Sequence, residues 1–176
     1  MTRKIDNCER TCREIPDFEG RVRAVLNSKF AQFQSSRRLL STLFRSAGDP
    51  KHPLSPFSPE TRPIREEAIG LFALCLQGAP VKVAEEFRPY LPRLLWFYQM
   101  GLILFWIHDP SPGQMRTRFL MDKSLKLLIQ LLSLSRFPFL GSLRRGVVSL
   151  IKIALEESEA ASKPGEEKGL ADGSDP

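Results

Sequence analysis

The sequence predicts an all-α fold, on three observations. Apolar residues recur at intervals of three and four along most of the chain, which is the periodicity of one face of a helix. No segment has the strict alternation of apolar and polar residues that is typical of a half-buried strand. The prolines stand at breaks between the periodic stretches, where they are expected to begin and end helices.

The first two helices are predicted within residues 17–48. The longer one carries a single apolar stripe and is capped by Asp17, which follows Pro16. A shorter helix, capped by Ser35 or Ser36, follows it and ends before Gly48. The stripe of the longer helix consists of Phe18, Val22, Val25, Leu26, Phe30 and Phe33. The shorter helix carries Leu39, Leu40, Leu43 and Phe44.

Residues 48–63 contain five prolines, so we expect an extended connection with no helix before the last of them. Ser58 and Pro59 resemble an N-cap and a first helical residue, and the helix that follows is expected to end at Leu76, before Gly78. Its candidates for inward-facing residues are Ile64, Ala68, Leu71, Phe72 and Cys75.

The most apolar stretch is residues 94–107, which are fourteen in number. At about 1.5 Å per residue a helix of this length spans roughly 21 Å, less than the roughly 30 Å of a bilayer core. We therefore expect a helix buried on every side and no stable insertion into a membrane. Tyr98 and Gln99 are polar residues inside it, and each needs a partner from the protein, water or a ligand.

Two further helices are predicted at about 111–135 and from Pro138 onward. Ser111 is the expected N-cap of the first, with Pro112 in its first turn and Gln114 closing a capping box. This helix has two apolar stripes, which require two covering surfaces: the core of the chain and a second chain. One stripe is Met121, Leu125, Leu128 and Leu132, and the other is Leu120, Leu127, Leu131 and Leu134. The last helix carries Leu143, Val147, Leu150, Ile151 and Ala154 on one face.

The charge is unevenly distributed. Residues 156–176 have a net charge of −5, which leaves +11 on residues 1–155 out of an overall +6. A basic body suits nucleic acid, an acidic surface or anionic lipid, but basic residues here occur singly and in pairs, as on solvated helix faces. We divide the chain into a short segment (1–16), a helical domain (17–157) and an acidic tail (158–176), which we expect to be disordered.

The residues that carry chemistry do not form a catalytic or metal-binding pattern, so we expect no enzyme, no metal and no cofactor. The three cysteines are scattered, and the two histidines lack partners at ligand spacing. His108, Asp109 and Ser111 are too close in sequence to form a line of nucleophile, base and orienting acid. Because no apolar segment of a signal peptide follows the first residues, the expected location is the cytoplasm.

One segment resembles a known family. Residues 90–109 (YLPRLLWFYQMGLILFWIHD) and 111–118 (SPGQMRTR) resemble the C-terminal half of TetR-type bacterial transcriptional regulators. Residues 38–40 (RLL) and 64–69 (IREEAI) fit the middle helices of such a domain, and the resemblance covers roughly residues 17–155.

The resemblance implies a helical domain that binds a small, often hydrophobic effector and forms a two-fold dimer through its last long helices. In this family a helix-turn-helix domain of about fifty residues precedes that domain, and residues 1–16 match at most the helix that links the two. DNA is therefore expected as a partner only if a helix-turn-helix domain is encoded upstream.

These considerations predict two sets of functional residues. The predicted effector site has the central helix as one wall, where steps of four and three put Trp96, Met100 and Ile103 on one face. The whole site comprises Phe30, Phe33, Phe72, Cys75, Trp96, Gln99, Met100 and Ile103. The predicted homodimer interface comprises Met121, Leu125, Leu128, Leu132, Val147, Leu150 and Ile151.

Two alternatives stay open. The aromatic side chains of the central helix could simply fill a core. The chain could also be a peripheral membrane-associated helical protein that uses its basic body and residues 94–107, and partition with anionic vesicles would separate that class from an effector-binding dimer.

Overall fold

A computed structural model describes residues 10, 14–45, 49, 52–137 and 141–160. These residues are mostly helical and include no strand, which confirms the predicted all-α fold. The helices are α1 (Phe18–Phe33), α2 (Arg37–Arg45), α3 (Arg62–Leu76), α4 (Leu91–His108), α5 (Met115–Leu134) and α6 (Gly141–Ala160). Short 3-10 helices lie at Gln34–Ser36, Glu85–Tyr90 and Pro112–Gln114.

Helix α1 begins where the sequence predicts. The carboxylate of Asp17 accepts a hydrogen bond from the backbone N–H of Gly20 at 2.7 Å, which is the geometry of an N-cap. Farther along, Arg21 is buried and donates to the backbone carbonyl groups of Ile15 and Gln77. Because Gln77 follows the last residue of α3, Arg21 joins the start of α1 to the end of α3.

Helix α3 begins later than the Ser58-Pro59 signal predicts, at Arg62. The Ser58 hydroxyl is buried in the preceding loop, where it donates to the carbonyl of Pro53 at 3.0 Å instead of capping a helix. Arg65 donates to the carbonyl groups of Pro56 and Ser58 at 2.9 and 3.2 Å and so ties the loop to α3.

The first turn of α3 differs from the prediction in the residue that it buries. Leu71, Phe72 and Cys75 are buried as predicted, but Ile64 is 66% exposed, so its assignment to the core is wrong. The reason is local: Arg65, one residue farther on, takes the buried position in this turn, and successive helical residues point about 100° apart.

Helix α4 lies at the centre of the fold and packs against α2, α3 and α5. Its buried residues include Leu95, Leu102 and Trp106. The prediction that it is buried on every side is wrong, since Leu104 and Phe105 lie on a solvent-facing side. Among the described helices, none combines the length and the apolar character that crossing a membrane requires.

The turn between α4 and α5 is organised by Asp109, which sequence reasoning assigned no role. Asp109 Oδ1 accepts hydrogen bonds from the backbone N–H and the hydroxyl of Ser111, at 2.9 and 2.6 Å. Gln114 has a left-handed backbone (φ 52°), and α5 begins only after it, so the predicted capping box does not form. The carboxylate of Asp109 thus serves as a structural acceptor for the start of α5.

Helix α6 packs against the 3-10 helix Glu85–Tyr90. Val148 and Ile151 contact a small apolar cluster formed by Val83, Ala84, Phe87 and Leu91. The helix extends to Ala160, three residues beyond the domain boundary predicted at 157. The predicted helix start at Pro138, the rest of the predicted tail (161–176) and most of the segment 1–16 lie outside the described residues.

Candidate ligand-binding cavity

A cavity of about 540 Å³ lies between α1, α2, α3 and α4, beside the loop of residues 52–61. Binding sites for small molecules typically have volumes of about 300–1,000 Å³ and mainly apolar walls with a few polar groups. The apolar side chains around this cavity include Phe33, Leu40, Leu43, Phe44, Trp96, Met100 and Ile103. Its size and its walls therefore suit a small apolar guest.

The structure brings five of the eight predicted site residues together around this cavity: Phe33, Trp96, Gln99, Met100 and Ile103. Trp96, Met100 and Ile103, which follow one another at steps of four and three, form the predicted face of α4. Their role in binding an effector stays a prediction, but the placement of this wall follows from helical spacing alone.

The other three predicted site residues lie elsewhere. Phe72 and Cys75 are fully buried in the main core and do not line the cavity. Phe30 packs on Trp106, with ring centroids 5.9 Å apart, and lines a separate groove between α1 and α5. These residues point away from the cavity because the sides of α1 and α3 that carry them face the core and α5.

Sequence reasoning missed the contribution of α2. Leu40, Leu43 and Phe44 line the cavity, while α2 has no fully buried residue of its own. This helix therefore covers the cavity and adds little to the core. The signal was present in the sequence as an apolar stripe on a short helix for which no packing partner was assigned.

Arg37 fixes the start of α2 to the end of α4. Its Nη2 donates to the carbonyl groups of Trp106, Ile107 and Asp109, and its guanidinium lies 5.5 Å from the centroid of the Trp106 ring. The last carbonyl groups of a helix have no partner within it, so a cation that bonds to them also complements the helix dipole. One end of the cavity cover is thereby anchored to α4.

The two polar residues of α4 differ in their surroundings. The Tyr98 hydroxyl lies 2.7 Å from the hydroxyl of Ser124 and 3.3 Å from the carbonyl of Met121, so it faces α5. Burial raises the pKa of Tyr98, and the hydrogen bond with Ser124 and the charge of Arg23 offset part of that rise. Tyr98 is thus satisfied within the protein.

Gln99 lines the cavity and is only 3% exposed. Its Oε1 atom has no hydrogen-bond partner among the described residues. Buried polar atoms in proteins nearly always have a partner, and leaving one unpaired costs about 1–3 kcal/mol. Because the Oε1 atom itself is buried, the side chain borders the cavity without presenting this oxygen to it.

The cavity meets solvent beside Leu54 and Ile64. Both residues line it, although more than half of each remains exposed, at 55% and 66%. Exposed aliphatic residues at this edge offer an apolar surface over which a guest can enter. The exposure of Ile64, which contradicts a core role, is consistent with a position at the cavity mouth.

A second surface feature is a set of exposed apolar residues on α5 and α6. Leu127, Leu131 and Leu134 on α5 are exposed, as are Val147 and Leu150 on α6. Ile153 is exposed as well. Several large apolar residues exposed on neighbouring turns of a helix are typical of an interaction surface.

The predicted interface residues on α5 need correction. Met121 and Leu125 are buried in the protomer's own core, and Leu128 and Leu132 are partly buried against it. The same holds for Ile151 on α6. This stripe of α5 is buried because Tyr98 and Phe18–Leu26 of the neighbouring helices lie on that side of α5. The stripe that remains on the surface is therefore the one with Leu127 and Leu131.

Comparison with models of protein families finds a match. A family model described as "Tetracyclin repressor-like, C-terminal domain" matches residues 21–150. The matched range includes the cavity and the exposed stripe of α5. No curated protein matches the chain.

Proposed function

The chain belongs to the family of tetracyclin repressor-like C-terminal domains, and we propose that it senses a small apolar effector in the cavity beneath α2. As in the family generally, it is a regulatory domain for ligand binding and dimerisation. The single observation that carries the finer proposal is the cavity itself, whose walls from four helices are mainly apolar. Its place of action is the cytoplasm.

A guest in this cavity would stabilise one arrangement of α1, α2 and α4. Phe33 contributes the far end of α1 to the cavity wall, and α1 has 16 residues, about 24 Å of helix. A ligand shifts a conformational equilibrium only by its difference in affinity for the two states. Movement of the Phe33 end of α1 would therefore be carried along the helix to its start at Phe18, toward any domain that precedes it.

The exposed stripe of α5 and α6 is the proposed dimer interface. Two copies that face each other through this stripe would form a bundle of four helices related by a two-fold axis. Val147 and Leu150 belong to it, together with Leu127, Leu131 and Leu134. DNA enters this scheme only through a helix-turn-helix domain encoded upstream, whose two copies the dimer would hold at a fixed spacing.

Thermal unfolding in the presence of apolar metabolites tests the effector site. A ligand at 100 times its dissociation constant stabilises the folded state by about 2.7 kcal/mol, which is roughly 5–10 °C in melting temperature for a chain of this size. The variant Met100→Trp should fill the cavity and abolish that shift. Leu104→Trp is the matched control, because Leu104 lies on the solvent-facing side of the same helix.

The proposal requires that at least one compound stabilise the wild-type protein and the Leu104 variant but not the Met100 variant. If stabilisation by every active compound survived in Met100→Trp, the effector would bind elsewhere. If Trp96→Ala lost the full 3–5 kcal/mol of an emptied aromatic core site and no compound bound, the aromatic residues would simply be core.

A further inference from the structure

We propose that Lys29 and Glu67 select the guest of the cavity by its charges: a molecule with an apolar body that carries an anionic and a cationic group side by side at one end, as an apolar amino acid does. This inference rests on the proposed function of the cavity as an effector site. To the apolar body that the walls require, it adds a zwitterionic head group and the two residues that recognise it.

The first observation is that two opposite charges border the same cavity. Lys29 belongs to α1 and Glu67 to α3, and these two helices pack against each other. Both side chains are partly buried, and neither forms an ion pair within 4.0 Å among the described residues. Lysine and glutamate are rarely buried without a partner. These two charges are therefore available to a guest.

The second observation is the position of the two charges between the cavity mouth and the apolar interior. One helical turn before Glu67, Ile64 is 66% exposed, and one turn after it, Leu71 is 5% exposed; both line the cavity. On α1, Lys29 lies one turn after the fully buried Leu26. A guest whose apolar body fills the interior would thus hold its polar end at the level of Lys29 and Glu67.

The lining contains a third charged residue, Arg65, which is already engaged by the protein. Arg65 is buried and donates to the carbonyl groups of Pro56 and Ser58 in the preceding loop. Lys29 and Glu67 are more exposed than Arg65. They are therefore the two charges of the lining at which a guest can replace water by an ionic contact.

A zwitterion satisfies both charges at once. A neutral guest would displace water from Lys29 and Glu67 without replacing it, and an ionised group that loses water without gaining a counter-charge is disfavoured. A guest with one charge pairs with one residue and is repelled by the other. With its anionic group at Lys29 and its cationic group at Glu67, a zwitterion leaves neither residue unpaired.

Three probes with the same indole ring and the same two-carbon chain separate the charges. They are L-tryptophan, which is a zwitterion, tryptamine, which is a cation, and indole-3-propionate, which is an anion. Titration calorimetry on the full chain at neutral pH would give the three dissociation constants. Each singly charged probe leaves one residue without its partner, so we expect tryptophan to bind about 10-fold more tightly than either of them.

Removing each charge should change the ranking of the probes in a different way. Glu67→Gln should weaken tryptophan binding about 10-fold and leave indole-3-propionate binding unchanged or tighter, because the like charge is gone. Lys29→Met should weaken tryptophan binding by a similar factor and leave tryptamine binding unchanged or tighter. A loss of structure would weaken all three probes together, so this crossed pattern is specific to the charges.

Glu66→Gln and Lys82→Met are the matched controls, because neither residue lines the cavity. Glu66 is next to Glu67 on α3 but pairs with Arg93 at 3.5 Å. Lys82 is exposed in the connection that follows α3. Both variants should keep the wild-type ranking of the three probes.

The outcomes distinguish this inference from the function on which it rests. Equal affinities for the three probes, tighter binding of a singly charged probe, no binding of any probe, or an unchanged ranking in both charge variants would each overturn the role of Lys29 and Glu67. The effector site would stand in each case if another compound stabilised the wild-type protein but not Met100→Trp. If no compound did so, the effector site itself would fail, and this inference with it.

Discussion

Asp109 Oδ2 accepts two hydrogen bonds from Thr117, one from its backbone N–H at 2.9 Å and one from its hydroxyl at 2.7 Å. Ser111 donates two further hydrogen bonds to Oδ1, so each of the two oxygens of this buried carboxylate accepts two hydrogen bonds. The contact joins the end of α4 to the first turn of α5. Helix capping therefore explains why Asp109 and Ser111 lie together next to His108, and no catalytic arrangement is needed to explain it.

This capping predicts a pH dependence. Burial alone would raise the pKa of Asp109, but the hydrogen bonds from Ser111 and Thr117 outweigh it and hold the pKa well below its ordinary value of 3.8. A carboxyl whose pKa is lower in the folded state stabilises the protein above its unfolded pKa, and that stabilisation is lost as the pH falls toward the folded pKa. The free energy of unfolding should therefore decrease as the pH falls below about 4.

Denaturant titrations between pH 2.5 and 7 would measure this dependence. Asp109→Asn should lower the stability at pH 7 and flatten the fall below pH 4, because the amide does not titrate. Glu85→Gln, at an exposed acid, is the control and should leave the profile close to that of the wild type. An unchanged profile in Asp109→Asn would contradict the lowered pKa.

A second prediction concerns Arg37, which holds the cover of the cavity. Arg37→Met keeps most of the aliphatic stem but removes the guanidinium that donates to the carbonyl groups at the end of α4, which should cost about 1–3 kcal/mol. Hydrogen exchange in α2 should become faster, because α2 loses its anchor to Trp106 and Asp109. Arg38→Met, at the exposed neighbouring residue, should change neither stability nor exchange beyond about 0.5 kcal/mol.

A third prediction tests the dimer face. We expect light scattering at tens of micromolar to give twice the mass of one chain. Leu131→Glu or Leu150→Glu should shift the protein toward the monomer, because each puts a charge into the apolar contact. Leu104→Glu, at an exposed leucine on α4, should remain dimeric, and a wild-type protein with the mass of a single chain would refute the interface.

A fourth prediction concerns the hydrogen bond between Tyr98 and Ser124, which joins α4 to α5. Tyr98→Phe and Ser124→Ala should each lower the free energy of unfolding by about 1 kcal/mol. The double variant should lose less than the sum, since the two side chains share one contact at 2.7 Å. Additive losses in a double-mutant cycle would show that the two hydroxyl groups act independently.

A fifth prediction separates the core from the cavity. Phe72 is fully buried and does not line the cavity, so Phe72→Ala should cost about 3–5 kcal/mol. Met100→Ala should cost less, because Met100 is only partly buried and already borders empty space. Affinity for a cavity ligand should follow the opposite order, with Met100→Ala the more affected variant at a temperature where both are folded.

The sequence by itself determined the helical class, most helix positions and the family. Asp17 caps α1, and the family match at residues 21–150 falls within the predicted range of 17–155. These features depend on the spacing of apolar residues and on hydrogen bonds between residues a few positions apart, and both can be read along the chain. The face of α4 with Trp96, Met100 and Ile103 followed from the same periodicity.

Only the tertiary structure decided which of two similar helix faces is buried and which polar groups find partners. Both stripes of α5 are equally apolar in sequence, and the core selects the one with Met121 and Leu125 because of what lies opposite. The cover of the cavity depends on Arg37, whose hydrogen-bond partner Asp109 is 72 residues away. Gln99 could be recognised in the sequence as a polar residue in an apolar helix. That its Oε1 atom is buried without a partner among the described residues could not, because burial and partners are set by segments distant in sequence.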